Sequence, residues 1–216
     1  MTDETAGRDP GTADKILDAA EGLFATQGFA ATTIKQIGKA AGLNPALIYY
    51  YFGSKEELYR RLLQRLFSTI AARGSAGLAE APSPEAAVRA LMGVQSQVLS
   101  EHPSVPRLLA RELADYGAAH AQEGIAKLAT TAFAGLLAFI EQGQRTGVFR
   151  ADMDPRFAAI SAISLIPYFH IFKPAAGILL GADGEPTQAQ MDAYARHAAE
   201  FVLAALAAPA RGGNHE

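Results

Sequence analysis

The sequence predicts an all-α protein: an N-terminal three-helix helix-turn-helix domain joined by a long helix to a larger helical domain, about nine helices in all. Two observations carry this. Apolar residues recur at three- to four-residue spacing along nearly the whole chain, and no alternation of apolar and polar residues runs far enough for a strand. Half of the 216 residues are hydrophobic, enough to bury a sizeable core.

The first helix is expected over residues 12–27, with Ile16, Ala20, Leu23 and Phe24 on one stripe, Thr12 as N-cap and Gly28 as its stop. Thr32 and Thr33 supply capping chemistry for a short second helix that turns Ile34, Ile37, Ala40 and Ala41 inward and ends at Gly42. Asn44 before Pro45 repeats the start signal, so a third helix runs to about Tyr51. Two short helices around a glycine turn make a helix-turn-helix. After Gly53, Ser54 and Glu57 form a capping box that opens a long helix through Leu58, Leu62, Leu66 and Ile70, fraying into a loop over residues 74–84. Further helices are expected over residues 85–100, 104–116, 119–144, 155–172 and 187–207. Residues 1–11 and 209–216 read as disordered tails around domains at 12–53 and 54–208.

A net charge of −3 argues against nonspecific coating of nucleic acid. The local balance differs: between Gly28 and Arg65 stand Lys35, Lys39, Lys55, Arg60, Arg61 and Arg65 against Glu56 and Glu57. With no cysteine, disulfides, thiolate metal sites and a thiol nucleophile are excluded, which fits a cytoplasmic protein. The five histidines are scattered, and there is no Gly-rich phosphate loop, His-Glu-x-x-His motif or Gly-x-Ser-x-Gly elbow, so no catalytic residue, metal or cofactor is expected. The apolar run from Phe157 to Leu180 approaches the length of a membrane span, but Pro167, His170, Lys173 and Pro174 interrupt it and no basic flank orients it. No membrane association is expected.

The segment Thr32 to Leu58, TTIKQIGKAAGLNPALIYYYFGSKEEL, resembles the DNA-binding signature of the TetR family of bacterial transcriptional regulators. It closes on the family's Tyr-x-Tyr-Phe-x-x-Lys-x-x-Leu pattern, here Tyr49, Tyr51, Phe52, Lys55 and Leu58. The resemblance covers residues 12–60; the remainder matches in length and helical architecture. It implies a regulator, a repressor first of all, that binds a near-palindromic operator as a homodimer and releases it when a small molecule, lipophilic if the pocket is apolar, is bound. A helix-turn-helix repressor without an effector is the alternative.

The third helix is then the recognition helix, with Pro45, Ala46, Leu47, Tyr49 and Tyr50 toward the major groove and Ile48, Tyr51 and Phe52 packed inward. It lacks Arg, Lys and Gln, so apolar readout dominates: Ala46 and Leu47 suit thymine methyls, Asn44 a base or phosphate, and the two phenols phosphate oxygens. Thr33, Lys35 and Gln36 open the second helix as polar contacts, and Lys55 is expected to grip a phosphate with the first amides of the fourth helix.

The resemblance further implies an effector among the middle helices, where Leu62, Phe67, Met92, Leu99, Leu109, Phe133, Leu137, Tyr168 and Phe172 are the apolar candidates. His102, Arg111 and Tyr116 are the polar ones, with Glu112 and His170 beside them. A four-helix dimer interface is expected from the apolar run and the last helix, through Ala158, Ala162, Leu165, Phe169, Tyr194, Ala198, Phe201, Val202 and Ala205.

Overall fold

The computed structural model describes residues 9–208. They form α1 (Pro10–Ala31), α2 (Ile34–Ala41), α3 (Pro45–Phe52), α4 (Lys55–Ala79), α5 (Pro84–Glu101), α6 (Ser104–Tyr116), α7 (Gln122–Leu128), a π-helical turn (Ala129–Phe133), α8 (Ala134–Thr146), α9 (Pro155–Ile171), α10 (Lys173–Leu179) and α11 (Gln188–Leu206). Among the described residues, strand-like pairing is confined to one antiparallel bridge between Phe149 and Ala207. The protein is all-helical, as the periodicity predicted. The tails expected over 1–11 and 209–216 lie outside the described residues except at Asp9, Pro10 and Gly11, and Pro10 already begins α1.

Packing divides the chain into two compact units, one comprising residues up to 68 with 103–126, the other 69–102 with residues from 127 onward. In the first, α1 packs on α2 and α6, and α2 on α3. Asp9, not Thr12, caps α1: its carboxylate accepts from Gly11 N, and the Thr12 hydroxyl donates to it. Gly28 breaks α1 with φ 82°, after which one more turn reaches Ala31. An alanine there would put its Cβ 2.8 Å from the Arg111 guanidinium. Arg65 of α4 binds three α1 carboxylates, Asp14, Asp18 and Glu21, and Ser104 of α6 also donates to Glu21.

Beneath α1 lies an aromatic cluster of Phe24, Phe29, Tyr59, Tyr116 and His120, with neighbouring centroids 4.9–6.0 Å apart. Glu112 sits under it, only 1% exposed. Its Oε1 accepts from His120 N at 2.7 Å and its Oε2 faces His120 Nδ1 at 3.1 Å. The Tyr59 phenol is held well above the usual phenol range by burial and by Glu112, to which it hydrogen-bonds.

In the second unit α5 packs against α8, α9 and α11, and α11 against α9. Helix α4 does not fray at Gly74 but continues to Ala79. Both glycines are sites of close approach: a Cβ at Gly74 would meet Ala132 Cβ at 3.0 Å and Leu91 Cδ1 at 3.1 Å, and one at Gly77 would meet Val94 at 3.1 Å. The helix expected over 119–144 is one run from Gln122 to Thr146, divided by the π turn, where Thr130 and Thr131 hydroxyls donate to Lys127 O. That run has the length and hydropathy of a membrane span, yet it carries Glu123, Lys127, Glu141 and Arg145 and buries Leu136 and Ile140 in its own unit. The apolar run after Phe157 breaks at Phe172 into α9 and α10, bent by 81°; α10 went unforeseen because its apolar residues continue the preceding pattern.

His170 is buried on α9, with Nε2 lacking a hydrogen-bond partner. Burial first, then the charge of Lys173, push its pKa down from 6.5 to about 4. Its neutral form is therefore favoured by folding, and the unfolded chain takes up the proton first as pH falls. This contribution to stability is complete above about pH 6.5 and is lost as pH drops toward 4. Melting temperatures measured between pH 7.5 and 4.5 are expected to decline less steeply in His170→Gln than in the wild type; parallel profiles would remove His170 as the cause.

Candidate nucleic-acid interface and interior cavity

The helix-turn-helix is assembled by small residues and caps. Gly42 ends α2 in the left-handed region (φ 65°), and Leu43 N donates back to Gly38 O at 2.8 Å. Gly38 lets the turn fold onto α2, because a Cβ there would stand 2.9 Å from Leu43 O and 3.3 Å from the Pro45 ring. Asn44 Oδ1 accepts from Ala46 N and caps α3, with Pro45 at its first position. Ile34, Ile37 and Ile48 are buried behind, while Ala46, Leu47, Tyr49 and Tyr50 are exposed and Pro45 is half-buried. Tyr51 and Phe52 turn partly inward, the Tyr51 hydroxyl accepting from Asp9 N.

The polar residues expected at DNA fare differently. Thr33 and Gln36 form a reciprocal capping box on α2, and Gln36 Nε2 also donates to Gln27, so the Gln36 amide is held locally. Lys55 does not extend toward solvent. Its ammonium donates to Phe29 O at 2.8 Å, Thr32 O at 2.9 Å and Ala30 O at 3.4 Å, and lies 4.4 Å from the Phe29 ring centroid. All three ammonium protons are thus directed at the C-terminal carbonyls of α1, and the expected side-chain grip on a phosphate is replaced by a helix cap.

The basic balance of this segment is likewise largely spent inside it. Arg60 and Arg61 pair with Glu56 and Glu57, and Arg65 with the α1 carboxylates. Pairing with both arginines holds the Glu57 carboxyl below its usual range. Of the six cations counted from sequence, Lys35 and Lys39 stay exposed without such a partner among the described residues.

The residues expected around an effector are not brought together. Leu62 and Phe67 lie in the core of the first unit, Phe67 against Gly124. Leu109 is half-buried there, Arg111 donates to Thr26 O, and Tyr116 packs on Phe29 and His120. In the second unit Met92 and Leu99 are fully buried, Leu137 is half-buried, His102 caps α5 through its backbone, and Tyr168 is exposed and stacked on Phe172. Phe133 alone of the twelve lines a small cavity in this unit, of about 20 Å³, together with Ile70, Leu91, Gln95, Leu128, Ala132 and Ile163. Sequence reasoning passed over Gln95 because a single amide on an otherwise apolar helix face carries no motif. A larger groove of about 880 Å³ between α5 and α11 is open to solvent; on its lining Arg89 pairs with Glu200, and Gln97 donates to Glu101.

The expected dimer residues divide in the same way. Ala158, Ala162, Ala198 and Val202 are buried inside the unit, where their small size seats α9 and α11 on neighbouring helices, and Leu165 is half-buried. Phe169 and Tyr194 stack on each other at 3.7 Å. Phe201 and Ala205 remain exposed, and the exposed apolar face continues through Phe157, Ile160, Tyr168 and Ile171 of α9.

A helix-turn-helix with an outward apolar recognition face, followed by a helical unit with an interior cavity, defines a DNA-binding regulator. Comparison with known proteins agrees. Residues 16–62 match the model of bacterial regulatory proteins of the tetR family, and residues 84–202 match a tetracyclin repressor-like C-terminal domain. The HTH-type transcriptional repressor NicS of Pseudomonas putida is 31% identical over 182 residues, 84% of this chain and 86% of that protein. The repressor KstR2 of Rhodococcus jostii is 31% identical over 72% of this chain and 76% of its own. Among solved structures, the TetR family regulator PfmR of Thermus thermophilus superimposes with a TM-score of 0.71 at 26% identity, covering 88% of this chain and 97% of PfmR. The regulator FadR of Bacillus subtilis, in complex with stearoyl-CoA, shares the fold at 16% identity and a TM-score of 0.72, over 89% and 98%. The chain belongs to the TetR family of transcriptional regulators, whose members act on DNA and are not enzymes.

Proposed function

We propose that the protein is a cytoplasmic repressor that binds a near-palindromic operator as a homodimer and leaves it when a small, mainly apolar molecule is bound. The observation that carries the reading is α3, which turns Ala46, Leu47, Tyr49 and Tyr50 outward over a buried Ile48, with Lys35 and Lys39 of α2 exposed as well. Such a face reads thymine methyls and phosphate oxygens. Thr33, Asn44 and Pro45 set its position.

Two recognition helices must meet successive major grooves about 34–36 Å apart, which requires a second copy. The exposed face of Phe157, Ile160, Tyr168, Ile171 and Phe201 is the surface offered for it, too apolar for a solvated helix pair. The effector site is the cavity lined by Gln95, and its apolar lining suits a lipophilic ligand. Release requires an effector that prefers the DNA-free state, and operator then weakens effector binding by the same factor.

The test is selection of genomic fragments by the purified protein, followed by anisotropy and sedimentation. A dimer bound to a near-palindromic site is expected, with Phe157→Glu/Phe201→Glu monomeric and at least about a hundredfold weaker on that site. A variant that stays dimeric would move the interface elsewhere, and no enriched sequence would overturn the operator reading.

A further inference from the structure

The chemistry of the cavity begins at a proline. Pro167 lies inside α9 and has no N–H, so Ile163 O, four residues earlier, lacks its helical donor. Gln95 of α5 answers it: Nε2 donates to Ile163 O at 3.5 Å. That contact sets the orientation of the amide, since the reverse would bring two oxygens together. It leaves Gln95 Oε1 without a partner, on a residue 8% exposed that lines the cavity. A buried carbonyl with no donor is costly. The cavity has room for about one water, but a water needs two to four polar partners and the remaining lining is hydrocarbon.

One wall is the π-helical turn, which contributes Ala132 and Phe133. A π turn interrupts the regular ladder of α-helical hydrogen bonds and recurs at functional sites. The lining carries no charged side chain, so an ionised ligand would be desolvated there without compensation.

We propose that this cavity, by yielding at the π turn, accepts a compact, uncharged, mainly apolar ligand carrying one hydrogen-bond donor, a hydroxyl or an N–H, which Gln95 Oε1 accepts. The inference rests on the effector reading above and specifies its chemistry. The donor selects the ligand, and the hydrocarbon walls supply the affinity.

The experiment uses the full-length chain and three probes of one shape, para-propylphenol, propylbenzene and para-propylbenzoate, with affinities measured by calorimetry. Wild type is expected to bind the phenol about tenfold more tightly than propylbenzene and the benzoate more weakly than either. In Gln95→Leu the phenol should lose its advantage, leaving the two neutral probes within about twofold of each other. Pro167→Ala returns a backbone N–H to Ile163 O, frees Gln95 Nε2 and is expected to reduce the phenol preference while leaving propylbenzene affinity unchanged, which a merely structural role for Gln95 does not explain. Equal binding of phenol and propylbenzene to wild type, an undiminished preference in Gln95→Leu, tightest binding of the benzoate, or no binding of any probe each overturns the proposal. Operator affinity is read separately. A Gln95-dependent preference that leaves operator binding unchanged upholds the ligand chemistry and removes the effector reading instead.

Discussion

Glu112→Leu is expected to lower the melting temperature by about 10 °C, the largest single stability loss in the first unit. Leucine fills nearly the same volume, so the loss is electrostatic and not a cavity effect. Three donors depend on this carboxyl: the His120 backbone N–H, the His120 ring and the Tyr59 hydroxyl. With Glu112 only 1% exposed, water cannot replace it, and stranding those donors costs about 3–5 kcal/mol. Glu112→Gln keeps an acceptor for His120 N and should lose less than half as much. Calorimetry showing Glu112→Leu within about 2 °C of wild type would mean that the aromatic cluster holds α6 to α1 and α4 unaided.

The second large effect falls on DNA binding and separates two kinds of residue in one motif. Leu47→Ala/Tyr49→Ala removes side chains that are 38% and 55% exposed, so stability should change little while operator affinity falls by about a hundredfold. Lys55→Gln should behave the opposite way. Its ammonium caps three carbonyls at the end of α1, and its loss is expected to lower stability by about 1.5–3 kcal/mol. The dependence of operator affinity on salt should stay unchanged in Lys55→Gln, whereas Lys35→Ala should reduce the slope of log affinity against log salt by about 0.9, the share of one phosphate. A reduced slope in Lys55→Gln would return that side chain to the DNA.

The sequence by itself determined the helical class, the start of α6 at Ser104, the Asn44–Pro45 opening of α3, and the family. These are local quantities: helical spacing, caps and a glycine at positive φ act over a few residues, and a linear chain displays them directly. Which face of α3 points outward was also legible, because Ile48 had to meet the isoleucines of α2. Tertiary structure decided the partners. Lys55, Arg60, Arg61 and Arg65 look alike on paper as a basic patch, and only the fold brings the α1 carbonyls and carboxylates to two of them. Small residues on α9 and α11 suggested an interface between copies, but the fold used Ala158, Ala162 and Ala198 to seat helices within one chain and left Phe157 and Phe201 outside. Gln95 gained a role only when Pro167, 72 residues away in the chain, left Ile163 O unpaired beside it. Charge pairing, burial and satisfaction of stray hydrogen-bonding groups depend on which distant segments meet, and that information is absent from any local window of sequence.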